Sequence, residues 1–161
     1  MEWTMPGLTR NLQISSAEPA ATERPYGSSG LKREGSGNLF LILKAYSMII
    51  RFDRSVARGD FRALYDQVRE FPLRNEPATP CSLERICSAV DIASIWYWKQ
   101  VGCLARSAAT VCLLRGRGIQ AQLVIGAQRM PFKAHAWVEV DGQIVNDKPY
   151  MPEIYAVLDR C

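Results

Sequence analysis

The chain has 161 residues, of which 48% are hydrophobic, 22% charged and 9% aromatic, and its formal net charge is +4. These values are those of a chain that can bury one hydrophobic core, and they exclude a largely disordered protein. No stretch is as long as the roughly 18 consecutive apolar residues of a membrane span, and the charge lacks the dense basic stripe of a dedicated nucleic-acid binder.

The histidine and cysteine content limits the chemistry further. His135 is the only histidine, so any mechanism that needs an imidazole must use it, and a site with several histidine ligands is excluded. The five cysteines form no C-x-x-C pair, and the polar opening of the chain does not match a signal peptide. We therefore expect free thiols in a reducing cytoplasm, and neither a metal site nor a cofactor.

The first predicted helix follows a polar N-terminal segment. Residues 1–38 are rich in glycine, serine and proline and carry balanced charges, so we expect a flexible tail there. A single folded domain is expected over residues 39–161. Its apolar residues from Leu39 to Ile50 predict an amphipathic helix that ends near Gly59.

Three further helices are expected along the chain. Asp60 is the expected N-cap of the second helix, which stops at a proline-rich loop over residues 72–80. Ser82 offers a cap to a third helix, whose apolar residues recur at helical spacing. The fourth helix follows the break at Gly102 and spans residues 103–115, after which two glycines stop it.

The hydrophobic period changes after the fourth helix from that of a helix to that of a strand. Polar and apolar residues alternate over residues 120–127 and again over residues 133–140. Asp141-Gly142 is a strong turn signal before a third strand over residues 143–147. The chain therefore predicts an α+β fold in which N-terminal helices pack on a small antiparallel sheet.

Cys103 is the candidate nucleophile among the cysteines. It follows a glycine at the predicted start of a helix, where unpaired N–H groups and the helix dipole favour a thiolate. Cys87 and Cys112 fall inside predicted helices and are expected in the core. Taken alone, a single cysteine is more often a small buried hydrophobe. The backbone N–H of Cys103 is the expected first oxyanion donor, and Gln100 is a weaker side-chain candidate.

His135 is the candidate general base and acid. Alternation along its strand places it on the same face as Trp137, which is a weaker candidate for contact with substrate. A single strand histidine is more often structural than catalytic, so its partner matters. Asp147 is expected to orient the imidazole, with Asp141 and Asp159 as rivals. The turn explains Asp141 better, and Asp159 lies close to the chain end.

The length of the hairpin loop decides whether Asp147 can face His135. A two-residue loop, Asp141-Gly142, would place Asp147 opposite Ala136 and send its side chain to the other face of the sheet. A three-residue loop that starts at Val140 would pair His135 directly with Asp147. Both registers fit the turn chemistry, and we predict the three-residue loop.

Together these side chains match the chemistry of thiol acyl transfer. In this interpretation Cys103 attacks a carbonyl carbon. His135 takes the thiol proton and later protonates the leaving amine, while Asp147 orients the imidazole through its other ring nitrogen.

Several segments of the domain form a recognisable set, namely Cys103-Leu104-Ala105-Arg106-Ser107, Ile125-Gly126, Phe132-Lys133-Ala134-His135-Ala136-Trp137-Val138-Glu139 and Asp141-Gly142. In these segments the chain resembles the transglutaminase-like cysteine peptidases of lasso-peptide biosynthesis, the B proteins that remove the leader from a ribosomally made precursor. The resemblance covers about residues 39–158 and implies a transglutaminase-like, papain-like fold. It also implies Cys103, His135 and Asp147 as the triad, in agreement with the assignment from the residues.

The resemblance also implies partners. Such an enzyme acts on a precursor peptide made of a leader and a core. Fused members of the family carry an N-terminal winged-helix module that binds the leader, and residues 1–38 are too short and too polar to be one. We therefore expect the split form, which depends on a separate leader-recognition protein and works beside an ATP-using macrolactam synthetase. Neither a nucleic acid nor a membrane is an expected partner.

Two alternative functions stay open at this point. The same triad with an amine in place of water as the acceptor would make the protein a transglutaminase-like acyl transferase. A non-catalytic scaffold that presents the precursor to the synthetase is the third interpretation. The two enzymatic functions require Cys103, whereas the scaffold function does not.

Overall fold

The computed structural model describes residues 35–75 and 80–161. Most of the predicted tail, residues 1–34, lies outside the described residues. Helix α1 begins at Gly35, four residues before the predicted start of the domain. The four main helices are α1 (Gly35–Ala57), α2 (Phe61–Arg69), α3 (Pro80–Ile95) and α4 (Cys103–Arg115). Within these two ranges, no helix combines the length and the apolar character needed to cross a bilayer.

The helix ends follow local chemistry, with one difference from the prediction. Asp60 is confirmed as the N-cap of α2, because its carboxylate accepts a hydrogen bond from the N–H of Ala63 at 3.0 Å. The predicted cap at Ser82 is wrong, because α3 begins two residues earlier at Pro80. Proline is tolerated in the first turn of a helix, because an N–H at that position would have no helical acceptor.

Helix α4 has the predicted bounds, and glycines flank it. Gly102 precedes the helix in an extended conformation, with φ −68° and ψ 147°. At the other end Gly116 is the C-cap, and Gly118 adopts a positive φ of 74° that favours glycine. The sequence therefore fixes both ends of the helix that begins with the candidate nucleophile.

The sheet has four antiparallel strands in the order β3-β2-β1-β4. The strands are β1 (Ala121–Gln128), β2 (Lys133–Val140), β3 (Gln143–Ile144) and β4 (Ala156–Arg160), and the short helix α5 (Met151–Ile154) precedes β4. The prediction did not include β4. All five of its residues are exposed, and its sequence lacks the alternation of apolar and polar residues that predicts a half-buried strand. The predicted α+β arrangement of helices followed by an antiparallel sheet is confirmed.

The predicted three-residue hairpin loop is wrong. Val140 pairs with Gln143, so the loop contains only Asp141 and Gly142. These two residues have φ values of 51° and 76°, as a type I′ turn requires. Such a turn matches the right-handed twist of the flanking strands, which explains why the shorter loop is favoured. Strand β3 then ends at Ile144, three residues short of its predicted end.

The two faces of the sheet pack against different partners. Ala136 and Val138 of β2 belong to the main core, which they share with the four helices. Trp137 lies on the opposite face in a smaller cluster with Val124 and Met151. This second cluster covers the sheet face that carries the imidazole of His135.

Gly126 in β1 allows the close packing of this second face. A Cβ atom at this position would lie 2.8 Å from ring carbons of Trp137 and 2.8 Å from the Cβ of Tyr155. Carbon atoms do not approach each other that closely without displacement. The glycine is therefore required by the ring that packs over it, rather than by a turn.

We expect Gly126→Ala to lower the free energy of unfolding by about 1–3 kcal/mol, because the added methyl group overpacks the face under Trp137. Urea denaturation followed by circular dichroism measures the change. Gly102→Ala is the control, since an added Cβ meets nothing within 4 Å there, and a loss of about a few tenths of a kcal/mol is expected. Equal losses in the two variants would contradict the close contact.

Candidate active site

The structure brings His135 and Asp147 together. The Nε2 atom of the imidazole lies 2.7 Å from Oδ2 of the carboxylate, and 23% and 22% of the two side chains are exposed. The second carboxylate oxygen, Oδ1, accepts a hydrogen bond from the N–H of Lys148 at 2.8 Å. Asp147 is thus held at both oxygens, and its contact fixes the orientation of the ring.

This contact forms even though the hairpin has the register that was expected to prevent it. In a continued ladder Asp147 would lie opposite Ala136 and face away from His135. The last backbone hydrogen bond of the ladder runs from the N–H of Val145 to the carbonyl of Val138, at 3.0 Å. The chain leaves the sheet after this point, so the rule of alternating faces no longer applies to Asp147.

Two aromatic rings support the imidazole of His135. Trp137 is stacked with it at 6.3 Å between ring centroids, and Tyr155 lies at 5.2 Å. Trp137 is completely buried, and its indole N–H donates to Glu139, which in turn is bonded to Arg160. The indole of Trp137, predicted as a weaker candidate for contact with substrate, thus has no exposed surface in the structure and packs against the imidazole.

Cys103 is the first residue of α4 and is partly buried against the main core. The first helical hydrogen bond runs from the N–H of Arg106 to the carbonyl of Gly102, so the N–H of Cys103 precedes it and has no helical acceptor. Among the described residues no hydrogen bond joins the Cys103 thiol to His135. The structure therefore brings together the imidazole and the carboxylate, while the thiol stands at the start of an adjacent helix.

Burial, full for Cys112 and partial for Cys87 and Cys161, affects the other described thiols. It raises the pKa of Cys87 to about 11 and that of Cys112 to about 12. Burial also raises the pKa of Cys161. The side chain of Cys81 lies outside the described residues. Thiols whose pKa is raised in this way stay protonated at neutral pH and are poor nucleophiles.

The loop that leads into Cys103 is anchored to helix α1. The hydroxyl of Tyr97 donates to the carboxylate of Asp53 at 3.0 Å, and the ammonium group of Lys99 pairs with the same carboxylate at 2.9 Å. Gln100, the predicted second oxyanion donor, is exposed in this loop. Sequence patterns gave no signal for this anchor, because its partners are 44 residues apart.

The two rival carboxylates have other surroundings. Asp141 lies in the hairpin turn and is exposed, with the positive φ that the turn requires. Asp159 is exposed in the edge strand β4. Of the three aspartates considered, Asp147 is the one in contact with the imidazole.

The structure is an α+β fold in which helices precede the sheet. A histidine on the sheet contacts an aspartate from the segment that follows β3. A family profile described as the transglutaminase-like superfamily matches residues 47–160, which is more than half of the chain. The chain therefore belongs to the transglutaminase-like superfamily, and the predicted transglutaminase-like fold is confirmed.

The chain is also similar to a curated protein, the microcin J25-processing protein McjB of Escherichia coli. The two are 46% identical over 56 residues, which is 35% of this chain. The matched stretch is 27% of McjB, so the chain spans about a quarter of the length of that relative. This similarity confirms the resemblance inferred from the sequence motifs. No solved structure matches the chain.

We expect iodoacetamide at neutral pH to label Cys103 at least about tenfold faster than Cys87 or Cys112, because the raised pKa of the latter two thiols keeps them protonated. Peptide mass mapping over time measures the three rates in a Cys81→Ser background. Cys103→Ser should remove the fast phase. Faster labelling of Cys87 or Cys112 would contradict the assignment of Cys103.

Proposed function

We propose that this chain is a cysteine peptidase that removes the leader from a ribosomally made lasso-peptide precursor. The hydrogen bond of His135 to Asp147 carries the proposal, because it prepares an imidazole for proton transfer in a chain of the transglutaminase-like superfamily. The similarity to a protein named for processing microcin J25 supports the choice of substrate.

The engaged ring nitrogen determines how the imidazole would act. With Nε2 donating to Asp147, the lone pair of the neutral ring is on Nδ1, which has no hydrogen-bond partner among the described residues. In the proposed first step Nδ1 takes the proton of Cys103, and the thiolate forms a bond to the scissile carbonyl carbon. Asp147 stabilises the imidazolium that results.

The remaining steps return the proton and release both products. The free N–H of Cys103 donates to the oxyanion of the tetrahedral intermediate, and the exposed amide of Gln100 is the second candidate donor. The C–N bond breaks as the imidazolium protonates the leaving amine. Water, activated by His135, then hydrolyses the thioester and regenerates the thiol.

The proposal includes the partners and the compartment that the resemblance implies. A separate leader-recognition protein would deliver the precursor, and a macrolactam synthetase would close the ring on the released core. A reducing cytoplasm suits a thiol nucleophile, and Cys87, Cys103, Cys112 and Cys161 are free thiols in the structure.

Cys103→Ala should abolish leader removal, and Asp147→Asn should lower its kcat by about 10²- to 10⁴-fold, because an amide in place of the carboxylate no longer holds the imidazole in its working tautomer. The substrate is a lasso-peptide precursor, supplied with a separate leader-recognition protein and a macrolactam synthetase, and mass spectrometry follows the released leader. Asp141→Asn is the matched control and should keep its rate, since asparagine tolerates the positive φ of the turn. Leader removal by Cys103→Ala would reject the peptidase and favour the scaffold.

A second measurement separates hydrolysis from acyl transfer. With a primary amine added in excess, we expect the product to carry a free carboxylate, since water is the proposed acceptor of the acyl group on Cys103. The mass of the released fragment distinguishes a carboxylate from an amide of the added amine. A predominant amide product would contradict the proposed peptidase function and favour the acyl transferase.

A further inference from the structure

Side chains close the edge of β2 beyond the point where β3 ends. The hydroxyl of Ser107 in α4 donates to the carbonyl of Ala136 at 3.0 Å. The side-chain oxygen of Asn146 accepts a hydrogen bond from the N–H of Val138 at 2.8 Å. Residues two apart in a strand point their backbone groups to the same side, so both groups lie on the edge that β3 leaves unpaired.

The two side chains are also bonded to each other. The amide nitrogen Nδ2 of Asn146 donates to the hydroxyl oxygen of Ser107 at 2.9 Å. The hydroxyl of Ser107 therefore acts at once as donor and acceptor, and only 1% of the residue is exposed. Ser107 lies among buried apolar residues of α4, where an unpaired hydroxyl would be unfavourable.

This hydrogen-bond network includes residues from all three segments of the chain that carry the proposed triad. Ser107 is four residues after Cys103, which puts the two on the same face of α4. Three of the four members of the network are each close in sequence to one proposed catalytic residue, namely Ser107 to Cys103, Ala136 to His135 and Asn146 to Asp147.

We propose that Ser107 and Asn146 are positioning residues for the triad, an inference that rests on the proposed peptidase function. Asn146 binds the N–H of Val138 with its side chain, in place of a backbone carbonyl. The ladder therefore ends immediately before Asp147, whose carboxylate turns to His135 instead of following the hairpin register. Ser107 holds Asn146 in this conformation and links it to the nucleophile helix.

The tautomer of the imidazole reports this positioning without any substrate. His135 is the only histidine, so the two ring ¹⁵N resonances of the neutral imidazole are assigned without ambiguity. We expect the proton on Nε2 in the unmodified protein, where Asp147 accepts it. Asn146→Ala and Ser107→Ala should each give a mixture of the two tautomers, as should Asp147→Asn.

Thr110→Val is the matched control. Thr110 is also a buried hydroxyl of α4, but it bonds to the carbonyl of Arg106 within the same helix. Its loss should leave the Nε2 tautomer in place even if the protein becomes less stable. If Asn146→Ala does not fold, Ser107→Ala decides the matter, since alanine is a good helix former. An unchanged tautomer in the folded variants would overturn the positioning role.

Cleavage of the precursor then tests the same residues in catalysis. We expect Ser107→Ala and Asn146→Ala to lower kcat by about 10²-fold with KM nearly unchanged, because the misplaced imidazole affects the transition state and not the bound substrate. The double variant should lose little more than either single variant. An unmodified protein that leaves the precursor intact rejects the peptidase function. A tautomer and kcat that do not respond in these variants reject the positioning role alone.

Discussion

The early end of β3 is the constraint on which the site depends. The two-residue turn fixes a register in which Asp147, on a longer strand, would face away from His135. Contact between the two residues requires the backbone to leave the ladder before Asp147. The N–H of Val138 keeps a partner at this point, because Asn146 binds it through its side chain. A local break in regular structure thus produces the His–Asp pair.

The imidazole is held from two directions at once. Asp147 binds one ring nitrogen, while Trp137 and Tyr155 pack against the ring and restrict its rotation. Packing this tight is possible because Gly126 leaves room for the indole on the neighbouring strand. The Ile-Gly motif noticed in the sequence therefore supports the site through packing, and its effect reaches the imidazole by way of Trp137.

Local sequence chemistry predicted the elements whose ends it controls. Glycines bracket α4, and Asp60 caps α2, so both helices were predicted close to their observed bounds. The hairpin register was wrong because Asp141-Gly142 suits both loops, and residue types alone do not choose between them. The partnership of His135 with Asp147 was predicted, but by that wrong register. The hydrogen bond from Asn146 to Ser107, which holds Asn146 in the contact that ends the ladder, links residues 39 apart, a distance no local pattern records.

The side chains of Ser107 and Asn146, which position Asp147, also stabilise the edge of β2. Ser107 and Asn146 pair with one backbone carbonyl and one backbone N–H of β2, which would otherwise be left without partners in a partly buried place. Apolar replacements would pack but would leave these groups unsatisfied. The polar pair is therefore favoured by stability before catalysis is considered, and a polar network whose side chains are bonded to each other specifies one geometry rather than many. The hydrogen bonds that the fold requires at this edge therefore also set the geometry of the proposed catalytic residues.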